Sequence, residues 1–232
     1  MFYSEEEKRE IREKWERVYI DKCDKCRGEG YIRSEGKTRV CECRKKALDS
    51  YKLEVSNFPI DKLEVREEEI KEYIKYDLDI YFRVIKSSIF KSKNLFLYDL
   101  SIDLNNMLID YIGKKLVNSV NEVTKKKIEI YYVIFENLIQ LSLRSNIDKE
   151  ARDRLDKIMN KPDILIIDGL GNETGFGSSS KHNVKLLNLI LKERNNKVKS
   201  TIISSKLYLQ DIEKYYNKEI IEMIMRFDII KR

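Results

Sequence analysis

Four cysteines make up the chain's complete thiol inventory, and all of them fall between positions 23 and 43 of a 232-residue sequence. Cys23 and Cys26 are separated by two residues; fourteen residues further on, Cys41 and Cys43 are separated by one. Two thiolate pairs at this spacing converge on a single tetrahedral cation, and the first pair has the interval of a zinc knuckle. Gly28 and Gly30 follow that pair with the permissive backbone a tight metal-binding turn needs, and Tyr31-Ile32 would open a short hairpin leading to the second pair. Four thiolates leave zinc no position for a reacting water, so the expected role is structural. An iron–sulfur centre or free thiols are the other readings of the same residues.

A second group of chemically suggestive residues lies far downstream. Asp163-Ile-Leu-Ile-Ile-Asp168-Gly-Leu-Gly171-Asn-Glu173 is a hydrophobic strand ending in an acid. That is the form of a segment that orients the Mg2+ of a bound nucleotide, and equally the form of an acid that merely ends a buried strand. The single histidine, His182, falls at an expected helix start and reads as an exposed polar residue, so no nucleophile–His–acid constellation can be assembled.

The elements that must position these groups can be read from hydrophobic periodicity. Residues 4–20 form an amphipathic helix, with Ser4 and Glu7 as a capping box and Ile11, Trp15, Val18 and Tyr19 on one face. That face packs on the chain's own cysteine module or, with Trp15 as anchor, on another protein. A helix from Lys45 to Val55 is stopped at Asn57-Phe58-Pro59, and the charged stretch Asp61 to Lys75 reads as an exposed helix. Beyond residue 90, strand-length apolar runs at Leu95–Tyr98, Ile128–Phe135, Ile164–Asp168 and Thr201–Ser204 alternate with helical patterns at Leu104–Val117, Glu136–Leu143 and His182–Arg194. Apolar strands separated by helices predict an α/β domain built on a parallel sheet, with short helices from Leu209 to Arg226 closing the chain. Gly175–Ser180 reads as a mobile loop. The expected division is residues 1–60, a helix plus a cysteine module, and 61–232, the α/β domain.

Composition limits function without choosing it. Lys and Arg total 46 against 40 Asp and Glu, giving a net charge of +6 that permits nucleic-acid binding without requiring it. Residues 22–46 carry nine basic against four acidic side chains. Arg27, Arg33, Lys37, Arg39, Arg44, Lys45 and Lys46 are therefore candidates for phosphate contact, or else for offsetting the charge of a metal–tetrathiolate centre. No apolar run has the length of a signal peptide's core or a membrane span, so a cytoplasmic protein is expected.

Motifs in register tie these parts together. CDKCRGEGYI, CECRKK, Asn57-Phe58-Pro59, Asn94-Leu-Phe-Leu-Tyr98, Ile164–Gly171 and Thr201–Lys206 occur in the order and spacing found in the DnaC/DnaI-type replicative helicase loaders and the related IstB-like transposition ATPases, which the chain resembles over nearly its whole length. The resemblance implies an AAA+-type (P-loop NTPase-type) parallel-sheet domain behind a zinc-ribbon module. It implies a replicative helicase as partner, with single-stranded DNA and self-association or an ATP-competent AAA+ neighbour as further ones.

Departures from the family pattern argue against its chemistry. Where the family has a glycine-rich phosphate loop ending in Lys and Thr, this chain reads Asp99-Leu-Ser-Ile-Asp103-Leu-Asn105-Asn106. Asn105 replaces the phosphate lysine and Asn106 the Mg2+-bearing hydroxyl, so the loop lacks both wrap and charge. Asp99 and Asp103 would face phosphate with like charge, a repulsion of roughly 4 kcal/mol for unit charges about 4 Å apart at an effective dielectric of about 20. The family's second Walker B acid is Gly169 here, and its sensor asparagine is Lys206. Asp168 persists, as does Arg226, which resembles an arginine finger acting on a neighbouring subunit and reads otherwise as a surface ion-pair residue. The expectation is a zinc-holding pseudo-ATPase scaffold that does not use ATP and Mg2+. The alternatives are an ATPase with an unorthodox phosphate site drawing on Lys114, Lys115 or Lys206, and a regulatory subunit of a transposition or defence assembly.

Overall fold

A computed structural model describes residues 3–59, 70, 72–87, 93–98, 102–120, 122, 124–174 and 181–231. The chain divides into two compact units, Met1–Leu63 and Glu64–Arg232.

In the first unit, helix α1 (Glu5–Tyr19) begins at a full capping box: Glu7 donates its N–H to Ser4 Oγ at 3.2 Å, while Ser4 N–H donates to Glu7 Oε2 at 2.6 Å. Strands β1 (Tyr31–Ser34) and β2 (Lys37–Val40) form an antiparallel hairpin, and helix α2 (Glu42–Val55) packs along α1. Helix α2 starts three residues before the expected Lys45, because Cys41 serves as its N-cap. Its end is set by Asn57 and not by the proline. Asn57 takes a left-handed φ of 64°, its N–H donates to Glu54 O at 2.8 Å, and Phe58 N–H donates to Leu53 O at 3.0 Å. This is a Schellman stop, and it buries Phe58 beside Leu53.

The second unit opens with α3 (Glu72–Lys86). The expected helix at Asp61–Lys75 lies largely outside the described residues. Then come β3 (Leu95–Tyr98), α4 (Ile102–Val117), β4 (Ile130–Ile134), α5 (Phe135–Arg144), α6 (Lys149–Asn160), β5 (Ile164–Leu170), α7 (Lys181–Asn196), β6 (Ser200–Ser205), α8 (Leu209–Tyr215), α9 (Lys218–Ile224) and β7 (Asp228–Lys231). Five strands make one sheet in the order β4-β5-β6-β3-β7, with every pairing parallel. This is the α/β architecture expected from the sequence.

The sheet's inner strands are apolar because helices cover both faces: Leu95, Phe96 and Leu97, Leu165 to Ile167, and Ile202 and Ile203 are all fully buried. Each such side chain contributes on the order of 1.5–3 kcal/mol by leaving water. The sequence reading ended the chain in helices and missed β7, whose four residues are too few for a periodic signal. It also missed α6, although Asp148 caps that helix by accepting N–H bonds from Glu150 and Ala151.

One buried cation ties the lower end of the sheet. Arg194 on α7 has no exposed surface, and its guanidinium donates to Thr201 Oγ1 at 3.1 Å, Met159 O at 2.8 Å, Pro162 O at 3.3 Å, Asp163 O at 3.1 Å and also Ser200 O. The donors of this planar fork thereby join the end of α6 to the starts of β5 and β6. Burial lowers its pKa to about 10, an effect that the Asp163 carboxylate partly opposes. Replacing it with methionine keeps the bulk and strips several buried carbonyls of their donors. Arg194→Met should therefore lose about 3 kcal/mol in urea unfolding; a midpoint equal to that of the parent would show that the fork is dispensable.

Candidate functional site

The four cysteines meet in the first unit. Cys23 and Cys26 lie on the loop after α1, Cys41 caps α2 and Cys43 sits in its first turn. Arg27, Gly28 and Gly30 all have positive φ, at 51°, 80° and 72°, so the loop folds back tightly enough for Gly30 N–H to donate to Cys26 Sγ at 3.2 Å. Cys41 N–H donates to Gly30 O at 2.9 Å, which brings the second pair onto the first. All four sulfurs lie within 4.8 Å of one another, with Cys23–Cys41 at 3.8 Å and Cys26–Cys43 at 3.4 Å. A tetrahedral ion with 2.3 Å zinc–sulfur bonds needs sulfurs roughly 3.8 Å apart. The donor set and its geometry are compatible with zinc.

The thiols also sit in a buried cluster of the unit. Ile20, Cys26, Cys41, Cys43 and Ala47 are buried together, and Trp15, Tyr19 and Ile32 pack against them. Trp15 stacks on Tyr19 with ring centroids 5.7 Å apart, and its Nε1–H donates to Glu54 Oε2 at 2.5 Å. The indole is thus engaged within its own unit, whereas Val18, read as part of the same face, is 46% exposed. The Cys26 N–H holds the Cys23 thiol down to about 7, while burial pushes the Cys43 thiol up. Of the basic candidates, Arg27, Arg33, Lys37, Arg39, Lys45 and Lys46 are exposed, and Arg44 lays its guanidinium 4.5 Å from the Tyr31 ring.

The second unit gathers its candidates at the carboxyl ends of β3, β5 and β6, the edge where open α/β sheets bind ligands. Asp168 stands there, but its carboxylate is taken up internally. Tyr132 OH on β4 donates to Oδ2 at 2.6 Å and Ser204 Oγ on β6 donates to Oδ1. Ser204 in turn accepts the Gly169 N–H at 3.0 Å. Burial, then the Asp168 carboxylate, pushes the Tyr132 hydroxyl well above its usual range, so it stays protonated as a donor. Beside this network Glu173 accepts from Gly171 N–H at 2.9 Å and from the Tyr216 hydroxyl.

The sequence alone assigns no site role to Tyr132, Ser204 or Tyr216, and Glu173 enters only as the end of the segment that carries Asp168. The one available signal was a tyrosine pair inside an otherwise aliphatic strand. Asp99 lies outside the described residues. Asp103, Asn105 and Asn106 occupy the first turns of α4, where only the backbone is described. Lys206 and Arg226 are exposed, and Arg226 has no salt bridge among the described residues. His182 is half-buried, with a buried Nε2 that has no partner among the described residues, so the expected exposed histidine is corrected. Lys114 and Lys115 lie in the last turn of α4. A rise of 1.5 Å per residue puts Lys115 about 20 Å along the helix from the end that faces the crevice.

After Asp168 the chain passes Gly169 (φ 76°), leaves β5 at Leu170 and turns at Gly171 (φ 93°). A Cβ at 171 would come 2.6 Å from Leu207 Cγ, as well as occupying a backbone region closed to L residues. Gly171→Ala is accordingly expected to cost about 1–3 kcal/mol in chemical denaturation, and an unchanged midpoint would show that this turn relaxes freely.

No protein-family model matches the sequence, and no curated protein matches it. Solved structures do share its fold. The DnaI crystal structure superposes with a TM-score of 0.56 at 19% identity, covering 75% of this chain and 94% of that one. The DnaC helicase loader gives 0.50 at 20% identity, covering 67% and 89%. A DNA replication initiation factor gives 0.53 at 13% identity, covering 74% of this chain and 49% of its own, so the chain spans about half of that protein's length. Likeness at this level of identity carries the fold alone: the five-stranded parallel α/β architecture is of the AAA+ type seen in those helicase-loader and replication-initiation structures.

Proposed function

We propose that the protein is a helicase-loader-like DNA replication accessory factor that works as an ATP-independent scaffold: a pseudo-ATPase whose first unit is folded around zinc and whose second unit keeps the AAA+ frame without its chemistry. The observation that carries this reading is the capping of both Asp168 carboxylate oxygens by Tyr132 and Ser204. A Walker B acid must offer its oxygens to Mg2+ and its water shell. Here one protein hydroxyl already donates to each of those oxygens, which supports a carboxylate held by the fold itself. The sequence changes at Asn105, Asn106 and Gly169 point the same way, since they remove the phosphate lysine, the Mg2+-bearing hydroxyl and the second acid. A phosphate site in the Asp168 crevice drawing on Lys114 or Lys115 is disfavoured by their position at the far end of α4.

In such a scaffold Cys23, Cys26, Cys41 and Cys43 would hold the zinc, which supplies a fixed cross-link and no reaction. Metal analysis of the purified protein should return one zinc per chain. Cys26→Ser should lose that metal and the near-ultraviolet signal of Trp15, which packs on the cluster; a metal-free parent with the same signal would discard the zinc assignment.

The partner class suggested by the fold is a replicative helicase, with single-stranded DNA as a further ligand. Co-elution with a replicative helicase should be the same with and without Mg2+-ATP, and Mg2+ should add nothing to any effect of ATP on the melting temperature. Phosphate release, or a Mg2+-dependent rise in melting temperature that Asp168→Asn abolishes, would restore an ATPase.

A further inference from the structure

At the opposite end of the second unit from Asp168, helices α3 and α4 enclose a cleft of about 380 Å³ lined by Tyr76, Asp79, Phe82, Arg83, Lys86 and Lys115. The two helices are joined beneath it by Phe82 and Tyr111, whose ring centroids are 6.0 Å apart. Lys115 leans over the Tyr111 ring with its ammonium 5.2 Å from the centroid. Among the described residues Arg83 uses Nε, on the Asp79 carbonyl of its own helix at 3.4 Å, and its terminal nitrogens take no partner. Three cations therefore face one carboxylate, and none of the three takes part in a salt bridge among the described residues. Tyr76 completes the lining with 63% of its surface exposed, although a ring of that size is ordinarily covered.

We propose that this cleft binds a nucleotide, a phosphate carried next to a stackable ring, with Arg83, Lys86 and Lys115 on the phosphate and Tyr76 against the base. The chemistry follows from the residue types. Guanidinium and ammonium groups without carboxylate partners recruit phosphate oxygens. An exposed ring beside them offers the π-face on which any base stacks. The volume lies at the lower part of the range for small-ligand sites, which suits one nucleotide unit. The same unit exists as a free mononucleotide and as a link in a single strand. The site is separate from the crevice at Asp168 and stands whether or not the scaffold reading is correct.

Calorimetric titration of the full-length, metal-loaded protein in Mg2+-free buffer tests this with AMP, inorganic phosphate and a short oligothymidylate. AMP, the oligonucleotide or both should bind. Arg83→Gln and Lys115→Gln should each weaken that binding about tenfold, and raised salt should weaken it further. Tyr76→Ala should weaken AMP or oligonucleotide binding by a similar factor, about tenfold, and leave inorganic phosphate unchanged. All three side chains are exposed, so the variants should fold, and unchanged circular dichroism confirms it. Binding by AMP alone assigns the free nucleotide, and binding by the oligonucleotide alone assigns the strand.

The absence of binding by either at millimolar concentration overturns the proposal. So does Tyr76→Ala acting on phosphate and AMP alike, or a polyglutamate peptide binding with the same variant sensitivity while both nucleotides are silent. Loss of binding in Asp168→Asn but not in Arg83→Gln would place the nucleotide in the crevice, which overturns both this cleft and the scaffold reading. Silence in every titration overturns the cleft alone.

Discussion

A parallel sheet covered on both faces leaves its polar backbone and side-chain groups nowhere to turn but inward, and both ends of this sheet are organised around that demand. At the amino ends of β5 and β6, the turns that enter the sheet bring several carbonyls together out of water. Arg194 answers them with a single planar fork. At the carboxyl ends, Asp168 arrives on a strand whose neighbours are Tyr132 and Ser204, and the three side chains satisfy one another. Each carboxylate oxygen of Asp168 thus has a hydroxyl donor from a neighbouring strand.

The first unit meets a different constraint. A segment of 63 residues buries too little apolar surface to hold itself together comfortably. Its buried cluster at the thiols is small: Cys26, Cys41 and Cys43 are joined there by Ile20 and Ala47, with Trp15 and Tyr19 leaning on them from α1, and Ile11, Leu53 and Phe58 are buried in the same unit. Hydrogen bonds reinforce the same point of contact, for Glu54 on α2 accepts from both Trp15 and Lys14 of α1. The left-handed residues Arg27, Gly28 and Gly30 fold the loop back so that the first cysteine pair meets the start of α2.

Much of this was legible before any coordinates. The cysteine spacing implied one shared centre because thiols two residues apart on a tight turn can point only to a common neighbour. The apolar runs implied buried parallel strands, and the capping box at Ser4 and Glu7 was read as it occurs. Local chemistry of this kind is written in adjacent residues. The errors fell where the signal was short or the partner distant. Strand β7 exists because β3 offers it an edge, and α2 stops at Asn57 because that residue adopts a left-handed turn, which was passed over for the more conspicuous proline.

By itself, then, the sequence determined the composition of the site: which acids, glycines and cysteines are present, and which phosphate-binding residues of the P-loop pattern are missing. Tertiary structure decided what the remaining residues do. Tyr132 and Ser204 lie 36 residues to either side of Asp168, and only the strand order β4-β5-β6 places them on its two oxygens. Lys115 and Tyr76 likewise share a cleft only because α3 and α4 pack side by side. Hydrogen bonds and charges act over a few ångströms of space, whereas a linear sequence records neighbours along the chain, so contacts made by folding cannot be read until the fold is known.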